Sequence, residues 1–166
     1  MFLRTEPDHV TKHVANAGGE TAQSLRMTAL DYRLLRLTRC LFMRPNKPDH
    51  PQWRLAHLIA RDTLSISDAA MVVQGMWRMI QHIEQVRQSA FLFVRPDDPH
   101  AHIFLTPEER LLIEFLHFLR IENLTAARTL LLMLCERGDG QALMSEARKL
   151  CDILNTQAQK AQQNVS

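Results

Sequence analysis

The sequence predicts an all-α fold, an irregular bundle of about six helices, and three observations support this. Leu, Ala and Met number 24, 16 and 8, whereas Val and Ile together number 15. Unbranched side chains lose little rotamer freedom in a helix, while β-branched ones favour strands. The chain has only five glycines, too few for a turn-rich all-β protein. Apolar residues also recur at three- and four-residue spacings, the helical period.

The length of 166 residues suits one domain, and composition divides the chain into three parts. Residues 1–23 are polar and poorly periodic, which predicts a flexible N-terminal arm. Residues 24–154 carry the helical pattern and form the predicted single domain. Residues 155–166 are rich in Gln and Ala without an apolar stripe. We expect this C-terminal tail to be a fraying helix extension or disordered.

The first predicted helix covers residues 24–43, because its leucines step by three and four along one face. Pro45 and Pro48 end it and predict a loop over residues 45–51. A shorter second helix is predicted over residues 52–62.

A long third helix is predicted to begin near Ser67, a possible N-cap, and to run to about residue 92. Gly75 lies inside it, which costs about 1 kcal/mol relative to alanine. Either a neighbouring helix approaches closely there, or the helix tolerates the weakness. The short apolar runs 91–94 and 103–105 then predict an ordered loop that covers the core, in preference to a hairpin.

The clearest local signal is Thr106-Pro107-Glu108-Glu109. Thr106 can cap a helix, Pro107 suits the first helical position and Glu109 can reach back, as a capping box requires. The helix should run to about Arg120, and its apolar residues cover well over half of its circumference. Such a helix lies in the centre of the bundle, or between the core and a second subunit.

Two further helices complete the predicted bundle. Asn123 can cap a helix that ends near Arg137, with Gly138 as its C-terminal stop. Asp139 then starts the last helix. Because the connection is very short, the pair should form a C-terminal antiparallel helical hairpin.

Cysteine usage and hydropathy predict a cytoplasmic protein. Cys40, Cys135 and Cys151 are odd in number, far apart and in apolar helical contexts, which is typical of buried free thiols in a reducing compartment. Met1-Phe2-Leu3 gives way at once to charged residues, so we expect no secretory signal. The longest apolar run, residues 130–135, is far shorter than the roughly 20 residues that span a bilayer.

The sequence carries no recognisable catalytic or metal-binding motif. It contains no Walker loop, no dinucleotide fingerprint, no G-x-S-x-G and no H-E-x-x-H. His9 and His13 are four residues apart, and His100 and His102 flank Ala101, but neither pair has carboxylate or thiol partners at a closed spacing. We therefore expect a non-enzymatic protein without cofactor or metal.

The leading functional hypothesis is a helical protein–protein interaction module, an adaptor or regulatory protein that forms a homodimer. Large apolar side chains are more numerous than one small core obviously needs, and Trp and Met are enriched at interface cores. The helices over residues 67–92 and 107–119 are the expected contact elements. The predicted partner-binding residues are Trp53, Met71, Met76, Trp77, Met79, Phe115 and Phe118.

The alternative hypothesis is a nucleic-acid-binding transcriptional regulator. The formal net charge is only +2, but basic residues are concentrated on the first two helices, and a row of guanidinium groups can neutralise phosphates. The residues predicted to bind nucleic acid are Arg26, Arg33, Arg36, Arg44, Arg54 and Arg61. A helix-turn-helix over residues 55–74 has a suitable connection, but its second helix offers no base-reading side chain before Gln74.

Overall fold

The computed structural model describes residues 27–43, 50–102 and 104–163. These residues form six helices and no β-strand: α1 (Ala29–Phe42), α2 (Pro51–Arg61), α3 (Ile66–Val86), α4 (Pro107–Arg120), α5 (Leu124–Leu134) and α6 (Gln141–Gln163). The predicted all-α bundle of about six helices is confirmed. The predicted arm, residues 1–23, lies outside the described residues.

Helix α4 lies in the centre of the bundle, where it contacts α1, α5 and α6. Leu112, Phe115 and Leu116 of this helix are fully buried. Helix α3 packs on α6, α2 and α1, and α1 also packs on α2. The apolar coverage of α4 is therefore explained by its central position, the first of the two expected alternatives.

The predicted C-terminal hairpin of α5 and α6 is not confirmed. Helix α5 instead packs back on α4, from which only residues 121–123 separate it, and α6 packs on α3 and α4. Glu136 and Arg137, in the α5–α6 connection, have positive φ angles of 51° and 67°. The left-handed turn that they form directs α6 onto α3. A short connection keeps consecutive helices close together, but it does not determine whether α5 packs on α4 or on α6.

Two of the predicted helix starts are confirmed, and a third begins at a different serine. Thr106 and Glu109 form the predicted capping box at the start of α4, and Asn123 caps α5. Ser65, and not Ser67, caps α3, because the Ser65 hydroxyl accepts the N–H of Asp68 at 3.2 Å. Helix α3 also ends at Val86, earlier than predicted, since the backbone of Arg87 is extended.

Helix α5 ends at Leu134, before the predicted Gly138 stop. Gly138 is instead required because a side chain would not fit. A Cβ there would lie 3.0 Å from the Cys135 carbonyl oxygen and 3.1 Å from that of Val86.

The antiparallel contact of α3 and α6 explains Gly75. A Cβ at this position would lie 3.2 Å from Cδ1 of Leu150, so the close approach of a neighbouring helix is confirmed. Helix α6 continues beyond residue 154, and Asn155 donates to the carbonyl oxygen of Arg120 at 3.2 Å. Residues 155–163 are thus a helical extension, the first of the two expectations for this segment.

Candidate functional site

The structure does not gather the predicted partner-binding residues into one surface. Met76, Met79 and Phe115 are completely buried in the core, where no partner can contact them. The sequence shows that these residues are apolar, but it does not show that neighbouring helices would cover them. These three residues therefore belong to the interior and are not available to a partner.

Of the remaining four predicted residues, only the two tryptophans are in contact. Trp53 of α2 and Trp77 of α3 form an edge-to-face pair with ring centroids 6.0 Å apart, so each largely serves to join the two helices. Phe118 is half-buried on α4, and Met71 is exposed on α3.

A different apolar surface lies on α5 and the turn before it. Ile121, Leu124, Leu132 and Met133 are between 41% and 58% exposed, and we call these four residues the α5 surface. Only Ala127 and Leu134 of α5 are buried. The sequence signal that could have indicated this surface is the apolar run 130–135, which contains Leu132 and Met133. It is longer than one buried helix face requires.

The α5 surface is nearly neutral. Arg128 is the only charged residue within α5, and Glu122, exposed in the preceding turn, offsets it. The Thr129 hydroxyl donates to the carbonyl oxygen of Thr125 at 3.1 Å, so its hydrogen-bonding capacity is directed into its own helix. The exposed side of α5 therefore presents large apolar groups at its two ends, with Arg128 as the one charged side chain between them.

The predicted arginine row is interrupted. Arg26 and Arg44 lie outside the described residues. Arg33 is engaged with the end of α2, where its guanidinium donates to Thr63 at 2.9 Å and lies 3.4 Å from Asp62. Three arginines of the predicted set remain exposed, namely Arg36, Arg54 and Arg61.

The N-terminus of α3 is contacted by Gln157 of α6, which argues against the helix-turn-helix. The carboxylate of Asp68 accepts the Ser65 hydroxyl at 2.6 Å and the Gln157 side-chain amide at 2.6 Å. A recognition helix must present free polar side chains at this end. Here the first turn carries an engaged carboxylate that would repel phosphate.

A buried ion pair joins α1 to α4. Arg39 binds Glu109 through two hydrogen bonds, of 2.6 and 2.8 Å, and both side chains are almost fully buried. The guanidinium also donates to the carbonyl oxygens of Ala101 and Phe104. Glu109 accepts the backbone N–H groups of Val94 and Thr106 as well, both at 3.0 Å. The pair thereby fixes the segment between α3 and α4 to the bundle, and it leaves no free group for a ligand.

A second polar cluster lies where α1 faces the C-terminal half of α4. The buried carboxylate of Asp31 is hydrogen-bonded to the Thr28 hydroxyl (2.7 Å) and backbone N–H (3.0 Å), and it is paired with Arg120. Nδ1 of His117 lies 3.1 Å from the same carboxylate. The sequence does not connect His117 with Asp31, because the two residues are 86 positions apart.

The Asp31–His117 pair opens on a groove of about 220 Å³. Apolar side chains of Met27, Leu105, Ile113 and Phe118 line it, together with Asp31, Arg110, Glu114 and His117. The groove therefore combines an apolar floor with convergent polar groups, the usual constitution of a small-molecule site.

The cysteines offer no reactive thiolate. All three are buried and free. Burial raises the pKa of Cys40 to about 11 and that of Cys151 to about 12, and it also raises the pKa of Cys135. Buried thiols of this kind are protonated at neutral pH and act as apolar core groups.

Two structural observations bear on metals and membranes. In residues 27–43, 50–102 and 104–163, no group of three His, Cys, Asp or Glu side chains is placed to hold a metal ion. His9 and His13 lie outside those ranges. No helix in the same ranges is both long enough and apolar enough to cross a bilayer.

A third polar cluster joins the end of α3 to the end of α5. Glu136 accepts the backbone N–H groups of Gln88 (2.6 Å) and Ser89 (3.0 Å) and the Ser89 hydroxyl, and it pairs with Arg87 at 3.0 Å. Hydrogen bonds from the Ser89 hydroxyl and the backbone, with the Arg87 charge, lower the pKa of Glu136 from 4.5 to about 2.

This depressed pKa predicts an acid-sensitive contribution to stability. A carboxyl group whose pKa is lower in the folded state stabilises the fold fully above its unfolded pKa, and the contribution disappears as pH falls through the folded value. The difference in unfolding free energy between the wild type and Glu136→Gln should therefore be constant above about pH 5.5 and vanish towards pH 2. Urea unfolding of both proteins across this range measures it. Glu122→Gln, at an exposed position, is the control and should show no such trend; a pH-independent difference for Glu136→Gln would contradict the assignment.

Comparisons of the chain with protein-family models, with curated proteins and with solved structures find no match. A functional proposal for this protein therefore depends on the surfaces and clusters described above.

Proposed function

We propose that this protein is a non-enzymatic protein–protein interaction module that self-associates through the α5 surface. The observation that supports the proposal is the exposure of four large apolar side chains on α5 and the turn before it, while α5 buries only two of its residues. Apolar surface exposed to water costs about 25 cal/mol per Å² relative to burial. Several large apolar side chains exposed on one short segment accordingly make that segment a candidate interaction site.

A second copy of the chain is the occupant that suits this surface. Symmetric dimers use the same patch twice, so the patch must be complementary to itself. Because the charges of Glu122 and Arg128 offset each other, two α5 surfaces do not repel. Related by a two-fold axis, they would bury Leu132 and Met133 of both copies, and helix pairs pack in this way through apolar ridges and grooves.

The proposed contact is made by a different helix from the two that the sequence predicted. Helices α3 and α4 were the expected contact elements, but their large apolar residues are mostly covered by α1, α5 and α6. The nucleic-acid alternative has no comparable observation in its favour. Phosphate binding needs several free guanidinium groups in one row, and Arg33 of the predicted row is engaged with Asp62 and Thr63.

Light scattering on a sizing column, with absorbance at two wavelengths, tests the proposal over a range of protein concentrations. The wild type should elute as a dimer. Leu132→Glu should weaken self-association by about 2 kcal/mol or more, roughly thirtyfold in dissociation constant, because it places a charge in the apolar contact.

Leu58→Glu is the matched control, since Leu58 is also a helical leucine and is 62% exposed, but lies on α2. It should remain dimeric, and circular dichroism should show both variants folded. A wild type that is monomeric at all concentrations would refute self-association. A dimer unaffected by Leu132→Glu would refute the α5 contact, and a particle carrying nucleic acid that is lost as salt is raised would favour the arginine alternative instead.

A further inference from the structure

We propose that the groove between α1 and α4 binds a small neutral ring compound that carries a hydroxyl group, with phenol as the simplest example. This site is separate from the α5 surface, and it does not depend on self-association. Its central feature is a histidine side chain held in one orientation at the edge of an apolar groove.

His117 is held by a buried carboxylate that is itself fixed. Asp31 accepts hydrogen bonds from the Thr28 hydroxyl and backbone N–H and is paired with Arg120, so its carboxylate serves as an acceptor in each of these contacts. Nδ1 of His117, 3.1 Å from Asp31, must therefore carry the proton of their hydrogen bond. A carboxylate in this position sets both the tautomer and the orientation of an imidazole.

The second ring nitrogen of His117 is left for a ligand. Nε2 lies on the opposite side of the ring from Nδ1 and has no hydrogen-bond partner among residues 27–43, 50–102 and 104–163. The side chain is 33% exposed, so a molecule in the groove can approach it. In the neutral imidazole this nitrogen is an acceptor, which requires a ligand with an O–H or N–H donor.

The charges that line the groove favour a neutral ligand. Asp31 is balanced by Arg120, and the carboxylate of Glu114 lies 2.9 Å from Nε of Arg110. An anionic ligand in the groove would lie near the carboxylates of Asp31 and Glu114, and a cationic ligand would lie near Arg110. Either would be removed from water without a free counter-charge, which is unfavourable.

The size and floor of the groove favour a single ring. Its volume of about 220 Å³ is below the roughly 300 Å³ at which drug-sized ligand pockets begin. The floor side chains are those of Met27, Leu105, Ile113 and Phe118. Thioether and aromatic groups of this kind make favourable contacts with a ring. A phenol would place its ring against the floor and donate its hydroxyl proton to Nε2 of His117.

A titration followed by NMR tests the site in the wild-type protein at mildly alkaline pH, where imidazole is neutral. The probes are phenol, anisole, which has the same ring but no donor, and benzoate, which carries a charge. Phenol should bind saturably and roughly tenfold more tightly than anisole, as expected for one hydrogen bond in an apolar site. The ¹⁵N resonance of His117 Nε2 should move with phenol and stay in place with anisole, and benzoate should bind more weakly than either.

The variant His117→Phe should bind phenol and anisole equally, because it retains an apolar ring and lacks the acceptor. His82→Phe, a histidine replacement on α3 outside the groove, should bind phenol as the wild type does. Equal affinities of the wild type for phenol and anisole, or shifts that map to residues outside the groove, would overturn the proposal. The wild-type titration does not depend on whether His117→Phe folds.

Discussion

Replacing Glu109 with alanine should lower the free energy of unfolding by about 3–5 kcal/mol, the usual cost of removing one partner from a buried ion pair. The variant leaves the guanidinium of Arg39 buried without its counter-charge. It also removes the acceptor of the Val94 and Thr106 N–H groups, and with it half of the α4 capping box. Urea unfolding followed by circular dichroism measures the loss.

Glu114→Ala is the matched control on the same helix. Glu114 pairs with Arg110 at 2.9 Å, but both side chains are substantially exposed, and such pairs contribute about 1 kcal/mol or less. If Glu109→Ala were as mild as this control, the buried pair would not be an important stabilising contact. A large loss for Glu109→Ala alone would show that burial, and not the presence of an ion pair, determines the effect.

Glu109 also shows how far the sequence could predict this fold. Its capping role was readable because Thr106, Pro107 and Glu109 are adjacent in the chain and each has one known preference at a helix start. Its partner Arg39 is 70 residues away. Periodicity placed Arg39 on the first helix, but nothing in the spacing indicated which helix would face it.

The same distinction between local and long-range information explains the error in the helix pairing. Helix positions follow from local apolar spacing and capping residues, and the six helices were predicted on this basis. The connections before and after α5 are both short, so both neighbours were possible hairpin partners. Packing of α5 on α4, and of α6 on α3, depends on how whole helix faces fit together. Glu136 and Arg137, in the turn between α5 and α6, also have positive φ angles, which non-glycine residues rarely adopt.

The candidate sites were harder to predict than the helices. The Asp31–His117 pair depends on contact between positions 86 residues apart, and neither residue belongs to a motif. For the apolar contact surface, the sequence indicated an excess of large apolar residues and placed it on the helices now labelled α3 and α4. Most of the excess on α3 and α4 is buried in the core, although Met71 is exposed, whereas that on α5 remains exposed because this helix packs chiefly on α4.

Phe115→Ala should lower the free energy of unfolding by about 3–5 kcal/mol, since it deletes a fully buried aromatic ring and leaves a cavity in the centre of the bundle. Phe118→Ala, three residues along the same helix, should cost about 1–2 kcal/mol because its ring is only half-buried. Thermal or urea unfolding of both variants makes the comparison.

Core residues and contact residues can be distinguished experimentally, although the predicted partner-binding set had placed both kinds together. A core residue acts on the folding equilibrium of each copy, so the folded fraction of Phe115→Ala should still dimerise with wild-type affinity. Leu132→Glu should do the opposite and leave the unfolding free energy of the monomer nearly unchanged, as exposed substitutions usually do. If Phe115→Ala instead abolished self-association while stability was retained, Phe115 would belong to the interface, and its burial within one copy would be wrong.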